Sequence, residues 1–450
     1  MINQTAVLLS PSEDYSNHIL AKHVKASMGG GHPFDLYCIE PLQKVFSNII
    51  VYDYVKRMTE IGVKTVNKEI IDLVRKEHPK YVIWPSVMYE FLESTAALIR
   101  QEGNIVVGIF FDDASRFDEY SKYWIPHLDY CVTHTIEAVP KYRELGARVI
   151  HTLGCHSIPL ARDWSSIEEK YTVSFVGKRK FDRAQYINEI QERNLPVALF
   201  GLGWERYGGR YVPFEEMLDI FKTSKINLNF SRTHYNKLEW KGKLLQICTA
   251  GGFLLTEYVP GIENYFDMDK EIVCFHDAEE MIEKITYYLA HDEERRAIAR
   301  AGWERATGEY TPFHMHSRIF GEIEKDLAAR GRQTNVQPQA VKMPIQMRKR
   351  FSDYYFRWGM ALAVENYQGL WKDSVELSIS YNPFNIGAWL YHIVGFLPSF
   401  MRPALFRLYK SYTESKKLYK RLRNKTLYWA DSAPYLKDLK RSIARRYYHT

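Results

Sequence analysis

Val173-Ser174-Phe175-Val176-Gly177-Lys178-Arg179-Lys180, with Asp182-Arg183 close behind, decides how the rest of the chain is read. The first four residues are a short, near-continuously apolar run, as a strand buried on both faces of a parallel sheet must be. The glycine turn that follows opens a helical segment, with four cations nearby. Backbone N–H groups at a helix start, a glycine that lets a ligand approach them, and ammonium or guanidinium groups are together what a diphosphate requires. A solvated basic turn is the plainer alternative. Outward from this point, runs of the same kind recur at 197–200, 226–230, 253–256 and 272–275, with helical patterns between them and at 278–290 and 293–305. Strand and helix in alternation imply a parallel sheet with right-handed crossovers.

Residues 1–155 carry an equivalent series, with expected strands at 6–9, 35–39, 81–84, 105–110 and 130–133 and helical patterns at 66–77 and 91–102. The chain is therefore expected to be α/β, with two facing Rossmann-like domains at 1–155 and 156–330. A linker rich in Gln, Pro and basic residues follows at 331–349, and a helical extension at 350–450. Within the extension, Tyr355, Trp358, Gly359, Ala361 and Leu362, then Tyr367, Trp371, Val375 and Ile379, resemble one tetratricopeptide-type helix pair.

Composition narrows the function classes. Hydrophobic residues at 46% and charged residues at 26% exclude a largely disordered chain. Five scattered cysteines with no C-x-x-C pair give neither a disulfide framework nor a zinc site, and no metal is expected. No secretory leader and no run of about 18 apolar residues is visible, which points to a cytoplasmic protein. The net charge of +7 is uneven: residues 401–450 hold fourteen Lys or Arg against three Asp or Glu, a balance of +11, leaving −4 for the first 400.

Facing doubly wound domains bind ligands at the carboxyl ends of their strands, so the loops there supply the candidates. For a diphosphate these are Gly177, Lys178 and Arg183. Gly201 and Gly203 allow close backbone approach, and Trp204 offers a stacking face, the alternative being a core tryptophan beside a tight turn. Tyr211, in Gly209-Arg210-Tyr211-Val212-Pro213, precedes the helix at 214–223, where a nucleobase could lie. Asn229 and Ser231 end a strand. Lys243 opens a helix and adds a point charge to its dipole, suited to a leaving phosphate, and Gln246, one turn on, could bond ribose hydroxyls, unless it is a surface amide. In the first domain, Asp112 and Asp113 follow a buried strand. Adjacent carboxylates resist simultaneous ionisation, so one could serve as general base toward an acceptor hydroxyl. The blander reading has one capping the next helix and the other solvated. His18 is a weaker candidate. Asp267-Met268-Asp269 lies in a turn and is not read as a metal site, and Gly29-Gly30-Gly31 reads as a helix C-cap.

The order of these elements resembles the CgeB-like spore-maturation glycosyltransferases. The matching words are Val173 to Gly177, Arg183, Gly201 with Gly203-Trp204, Ser224 to Asn229, Lys243 to Gly252 with Phe253 to Thr256, and Glu271-Ile272-Val273, followed by Lys284 to Leu289, Glu293-Glu294-Arg295, Ile298-Ala299, Gly302 and Arg305. The first half fits more loosely, through 108–113, 129–133 and 142–149. The resemblance implies a GT-B fold and transfer of a hexose-type sugar from a nucleoside diphosphate sugar. The donor, a co-substrate with no other cofactor and with UDP-sugars favoured, would be held by the second domain, and a glycan, lipid-linked or protein acceptor by the first. Where many members have Arg then Phe-Glu, this chain has Lys243 then Leu245-Gln246, and Leu238 stands where related retaining enzymes carry a second glutamate.

Aromatic and basic residues interleave from 396 to 450, a pattern that could lie on an anionic membrane surface, making the protein peripheral to the inner face, or on a polyanionic acceptor; a solvated helix face packed on the protein's own body is the plainer alternative. No nucleic-acid recognition module is present. A nucleotide-sugar epimerase of the same fold and a catalytically silent sugar-binding scaffold are the rival functions.

Overall fold

The structure is a computed structural model that describes residues 1–12, 35–86, 91–153, 158–166, 168–232, 238, 240–330, 341–365, 367, 370–394 and 404–405, with the backbone alone at 181 and 182. His18, Gly29-Gly30-Gly31, Cys155 and the basic run beyond 405 lie outside these residues. The described chain forms two compact units, one within 1–58 and 63–347 and the other from 59–62 and 348 onward.

The first unit contains two parallel sheets. Along the first lobe run β1 (Ile2–Leu9), α1 (Glu40–Val45), β2 (Phe46–Tyr52), α2 (Tyr54–Ile61, whose end passes into the second unit), α3 (Val63–Glu77), β3 (Tyr81–Ser86), α4 (Glu93–Gln101), β4 (Ile105–Phe110), α5 (Asp113–Arg116), β5 (Tyr130–Thr133), α6 (Ala138–Glu144) and β6 (Val149–His151). The strand order is β2-β1-β3-β4-β5-β6, every pair parallel. β3, β4 and β5 are buried at every residue, which explains their unbroken apolar sequences. The strand expected at 35–39 is instead a π-helical turn leading into α1, and the strand is β2. β2 is an edge strand whose Ser47 and Asn48 are exposed, so its sequence lacks the apolar run of the central strands. The apolar 35–39 run is real, but it buries Tyr37 and Cys38 without pairing in the sheet.

The second lobe runs through β7 (Tyr171–Val176), α7 (Phe181–Glu192), β8 (Val197–Phe200), α8 (Phe214–Thr223), β9 (Ser224–Asn229), α9 (Gly242–Thr249), β10 (Leu254–Glu257), β11 (Val273–Phe275), α10 (Ala278–Ala290) and α11 (Asp292–Glu309), with strand order β11-β10-β9-β7-β8. The chain moves from β7 outward to β8, then returns to the other side of β7 as β9. That reversal makes a topological switch point, where the loops after β7 and β9 diverge and leave a crevice. Two Rossmann-like lobes, each a parallel sheet flanked by helices, with a helical extension after them, constitute GT-B architecture.

Helix α12 (Pro312–Arg330) links the two cores. Met315 packs in the core of the second lobe, while Ile319, Phe320 and Ile323 pack in that of the first. Phe320 meets Phe46 and Tyr81 edge-on, with ring centroids 4.7 and 5.6 Å apart. Burying one such ring contributes about 2–3 kcal/mol. Farther along, Glu324 pairs with Lys80 at 2.8 Å and accepts from the Tyr81 hydroxyl at 2.6 Å, and Asp326 accepts from the Tyr130 hydroxyl at 2.9 Å.

The second unit holds α13 (Ile345–Val364), α14 (Trp371–Tyr381) and α15 (Ile386–Val394). α13 and α14 form an antiparallel pair: Tyr355 stacks against Tyr381 with ring centroids 5.7 Å apart, the Ser352 and Ser378 hydroxyls are 2.9 Å apart, and Gly359 lies against Ser374 and Val375. Of the linker expected at 331–349, residues 331–340 lie outside the described residues, and 345–349 form the first turns of α13, with Pro344 just ahead of it. Among the described residues no helix is long and apolar enough to cross a membrane.

Candidate functional site

The glycines of the second lobe lock two loops together at the carboxyl edge of its sheet. Gly177 donates its N–H to the Phe200 carbonyl at 2.7 Å, and Arg179 donates to the Leu202 carbonyl at 2.9 Å. Gly201 sits at φ +116, and a Cβ there would fall 2.6 Å from the Gly177 carbonyl oxygen. Gly203, at φ +92, would bring a Cβ within 3.0 Å of Arg179 Cβ. Only glycine satisfies both the backbone angle and the contact at these two positions. Trp204 does not present a stacking face: it is fully buried, and its indole N–H donates to the Gly177 carbonyl at 2.7 Å. The core reading is the correct one, since a buried indole must spend its N–H on a partner and the glycine turn supplies it.

Two cations converge on this turn. A methyl group placed on Gly177 would lie 3.3 Å from both Arg183 Nη1 and Lys243 Nζ, and 2.7 Å from Phe175 Cζ. Arg183, on α7, is buried and donates to the Lys178 carbonyl at 3.0 Å and the Phe230 carbonyl at 3.4 Å. It thereby bridges the loop after β7 to the end of β9, across the switch point. Lys243, in the first turn of α9, donates to the Val176 carbonyl at 2.8 Å. Burial, with Arg183 and Lys180 pushing the same way, brings the Lys243 ammonium down from 10.5 to about 8. An ammonium held there beside a guanidinium and a helix amino end is a charge arrangement that an anion relieves. Lys178 is exposed, and its side chain is not part of this convergence.

The amino end of α9 also meets the first lobe. Lys241 Nζ lies 3.6 Å from Asp112 Oδ1, and Gln246 Nε2 donates to the Tyr37 hydroxyl at 2.8 Å. Gln246 is buried in that contact, so one amide N–H serves the junction between the lobes. It is not a surface amide. Asp112 and Asp113 divide their roles. Asp113 is buried and accepts from Ser121, Thr133 and Tyr142 at 2.5, 2.7 and 2.9 Å, and burial pushes its carboxyl above the usual range. Its carboxylate turns into the interior toward these three hydroxyls. Asp112 holds a left-handed backbone, φ +56, ahead of α5, caps nothing with its side chain, and is largely exposed. A non-glycine residue in that region costs on the order of 1 kcal/mol and often marks a functional loop.

Asn229 and Ser231 are also committed internally. Asn229 Nδ2 donates to Thr256 Oγ1 at 3.0 Å, and the Ser231 N–H donates to Glu257 at 3.0 Å, so both tie β9 to β10. Tyr211 is 66% exposed beside Arg210, whose carbonyl receives the Gly201 N–H at 2.8 Å. Sequence reasoning missed Tyr37, Lys241 and His134. His134 follows β5 beside the Phe111 ring and the Thr152 carbonyl, and burial pushes it down to about 4, leaving a neutral imidazole. Its position directly after a buried strand was the available signal.

The sequence model of a family described as glycosyl transferase-like matches residues 179–320. A comparison with curated proteins gives no match. Among solved structures, HepE of Anabaena, crystallised with UDP and glucose, is 8% identical over 72% of this chain and 99% of its own, with a TM-score of 0.47. Sucrose-phosphate synthase of Thermosynechococcus elongatus is 11% identical over 73% and 100%, at 0.48, and a Rickettsia africae glycosyltransferase is 10% identical over 73% and 99%, at 0.44. With so few shared residues, what those proteins bind does not transfer to this chain.

Proposed function

We propose that the protein transfers a sugar from a nucleoside diphosphate sugar, with UDP-sugars favoured, to a hydroxyl of a glycan, lipid-linked or protein acceptor. The observation that carries this reading is the approach of Arg183 and Lys243 to within 3.3 Å of one point above Gly177, at the switch point of the second sheet. In the reaction, the acceptor oxygen bonds to the anomeric carbon, the bond from that carbon to the diphosphate breaks, and the acceptor proton passes to a carboxylate. The diphosphate that leaves carries the new negative charge, and Arg183, Lys243 and the α9 dipole stabilise it there. Asp112, exposed at the carboxyl edge of the first sheet and paired with Lys241, is the carboxylate assigned to the proton. Asp113 is assigned to hold the Asp112 loop through its three hydroxyl partners. Gly201, Gly203 and Trp204 keep the diphosphate turn in shape from beneath, and exposed Tyr211 and Lys178 flank it.

The test is a panel of nucleotide sugars screened by thermal shift, with nucleotide release measured with and without candidate acceptors. Stabilisation by one donor, with release that an acceptor accelerates, supports transfer. No stabilisation by any nucleotide overturns the reading in favour of a silent scaffold, and acceptor-independent conversion to an epimeric sugar overturns it in favour of an epimerase.

A further inference from the structure

Helix α15 contains no Lys, Arg, Asp or Glu in its nine residues. Its Gly387, Ala388 and Tyr391 are buried, with the Tyr391 ring edge-on to Phe356 at 5.4 Å. The opposite face is Ile386, Trp389, Leu390 and Ile393, at 74, 42, 47 and 57% exposure, preceded by Phe384 at 82%. The spacing i, i+3, i+4, i+7 puts the four on one stripe. The stripe is also rigidly presented. Asn385 caps the helix by accepting from the Ala388 N–H at 3.1 Å, and the Trp389 indole donates to the Pro383 carbonyl at 2.7 Å. With its N–H satisfied from within, the indole offers water only its apolar body. Single exposed apolar residues are ordinary on a protein surface, but four in one stripe with a fifth just before it, and no charge among them, are not.

The chain beyond this helix identifies the occupant. After α15, residues 401–450 carry fourteen Lys or Arg against three Asp or Glu, interleaved with Leu405, Leu408, Tyr409, Tyr412, Leu418 and Tyr419. A second copy seated on the stripe would bring two segments of +11 together. A nucleic acid would satisfy the cations and leave the stripe in water. Of these occupants, a surface that is apolar beneath and anionic above satisfies both, so we propose that the α15 face and the basic run dock the protein on an anionic lipid bilayer. This goes beyond the transfer reaction and does not depend on it.

The experiment floats the full chain with vesicles of phosphatidylcholine alone or with about 30% phosphatidylglycerol, enough for a negative surface potential. The wild type is expected to partition to the anionic vesicles at least about tenfold more strongly than to neutral ones, and less so as salt is raised. The Ile386→Glu/Ile393→Glu variant is expected to lose about tenfold or more, each carboxylate opposing both the apolar insertion and the lipid charge. Phe384→Ser, which lies outside the helix, should shift binding the same way and guards against a misfolded α15. Acyl-brominated lipids should quench the wild type more than Trp389→Phe. Equal binding to neutral and anionic vesicles, unchanged binding by both stripe variants, or a wild-type dimer that the stripe variants convert to monomer would each overturn the proposal.

Discussion

Lys243→Met is the most informative perturbation of the proposed donor site. In the free protein the ammonium is held at about 8 instead of 10.5. A bound diphosphate that brings it back to its ordinary value gains about 3 kcal/mol from this one side chain, on the order of a hundredfold in Kd. The linkage has a readable sign. At pH 8 about half of the free protein carries neutral Lys243, so binding must take up about 0.5 proton, falling to about 0.1 at pH 7. Affinity is therefore full below about pH 7 and weakens by up to about tenfold per pH unit above 8. Titration calorimetry of UDP in buffers of different ionisation enthalpy measures the uptake directly. Lys243→Met should lose the uptake and the pH dependence together, and weaken binding roughly a hundredfold. Unliganded, the variant should be the more stable protein at pH 7, by about 2 kcal/mol, because the unfolded lysine binds its proton more tightly than the folded one. Equal proton uptake by wild type and variant at pH 8 would refute the assignment of Lys243 to the diphosphate.

Three further outcomes are expected. Asp113→Asn should lower unfolding free energy by about 2 kcal/mol or more, since it disrupts a buried acceptor of three hydroxyls, whereas Asp112→Asn should change it by less than about 0.5 kcal/mol and act on kcat; denaturant titration and steady-state rates separate the two. Gly201→Ala combines a positive φ with a clash against the Gly177 carbonyl and should cost about 2–4 kcal/mol, with nucleotide binding lost in parallel, as thermal shift would record. His134 and His316, both pushed down to about 4 by burial, bind protons only when unfolded between about pH 4 and 6.5. Stability should therefore be full above about pH 6.5 and fall by about 2 kcal/mol per histidine between pH 7 and 5, which chemical denaturation at the two pH values checks; His316→Gln should remove its share.

The parts of the site that were legible in the sequence are those whose demands are local. Gly201 and Gly203 were found because a missing Cβ has few explanations at a strand-to-helix turn. Arg183 and Lys243 were found because a cation at a helix start after a buried strand falls on the carboxyl edge of a parallel sheet, wherever the sheet lies. The partners of polar groups were not legible. A tryptophan or a glutamine announces that its N–H needs an acceptor, but whether Trp204 spends it on Gly177 or on a ligand, and whether Gln246 reaches Tyr37, is decided by residues far apart in the chain. The order of Asp112 and Asp113 was hidden for a related reason. Which of two adjacent carboxylates turns inward depends on the left-handed backbone at Asp112, and that depends on the hydroxyls of Ser121, Thr133 and Tyr142. The edge strand β2 was missed because a strand exposed on one side does not need the unbroken apolar run that betrays the central ones.

The path of α12 couples the fates of the two lobes. Leu153, just before the chain leaves the first lobe, packs in the interior of the second, and Thr152 donates its hydroxyl to Met315 Sδ at 3.1 Å where α12 sets off in the opposite direction. Outbound and returning segments thus touch at the passage between the lobes. Melting the second sheet would also tear Ile319, Phe320 and Ile323 away from Phe46 and Tyr81, exposing apolar surface in a lobe that had not itself unfolded. Two hydrophobic interiors joined in this way should give a single calorimetric transition for the first unit, and cutting the chain between the lobes should yield fragments that neither fold nor stay in solution alone.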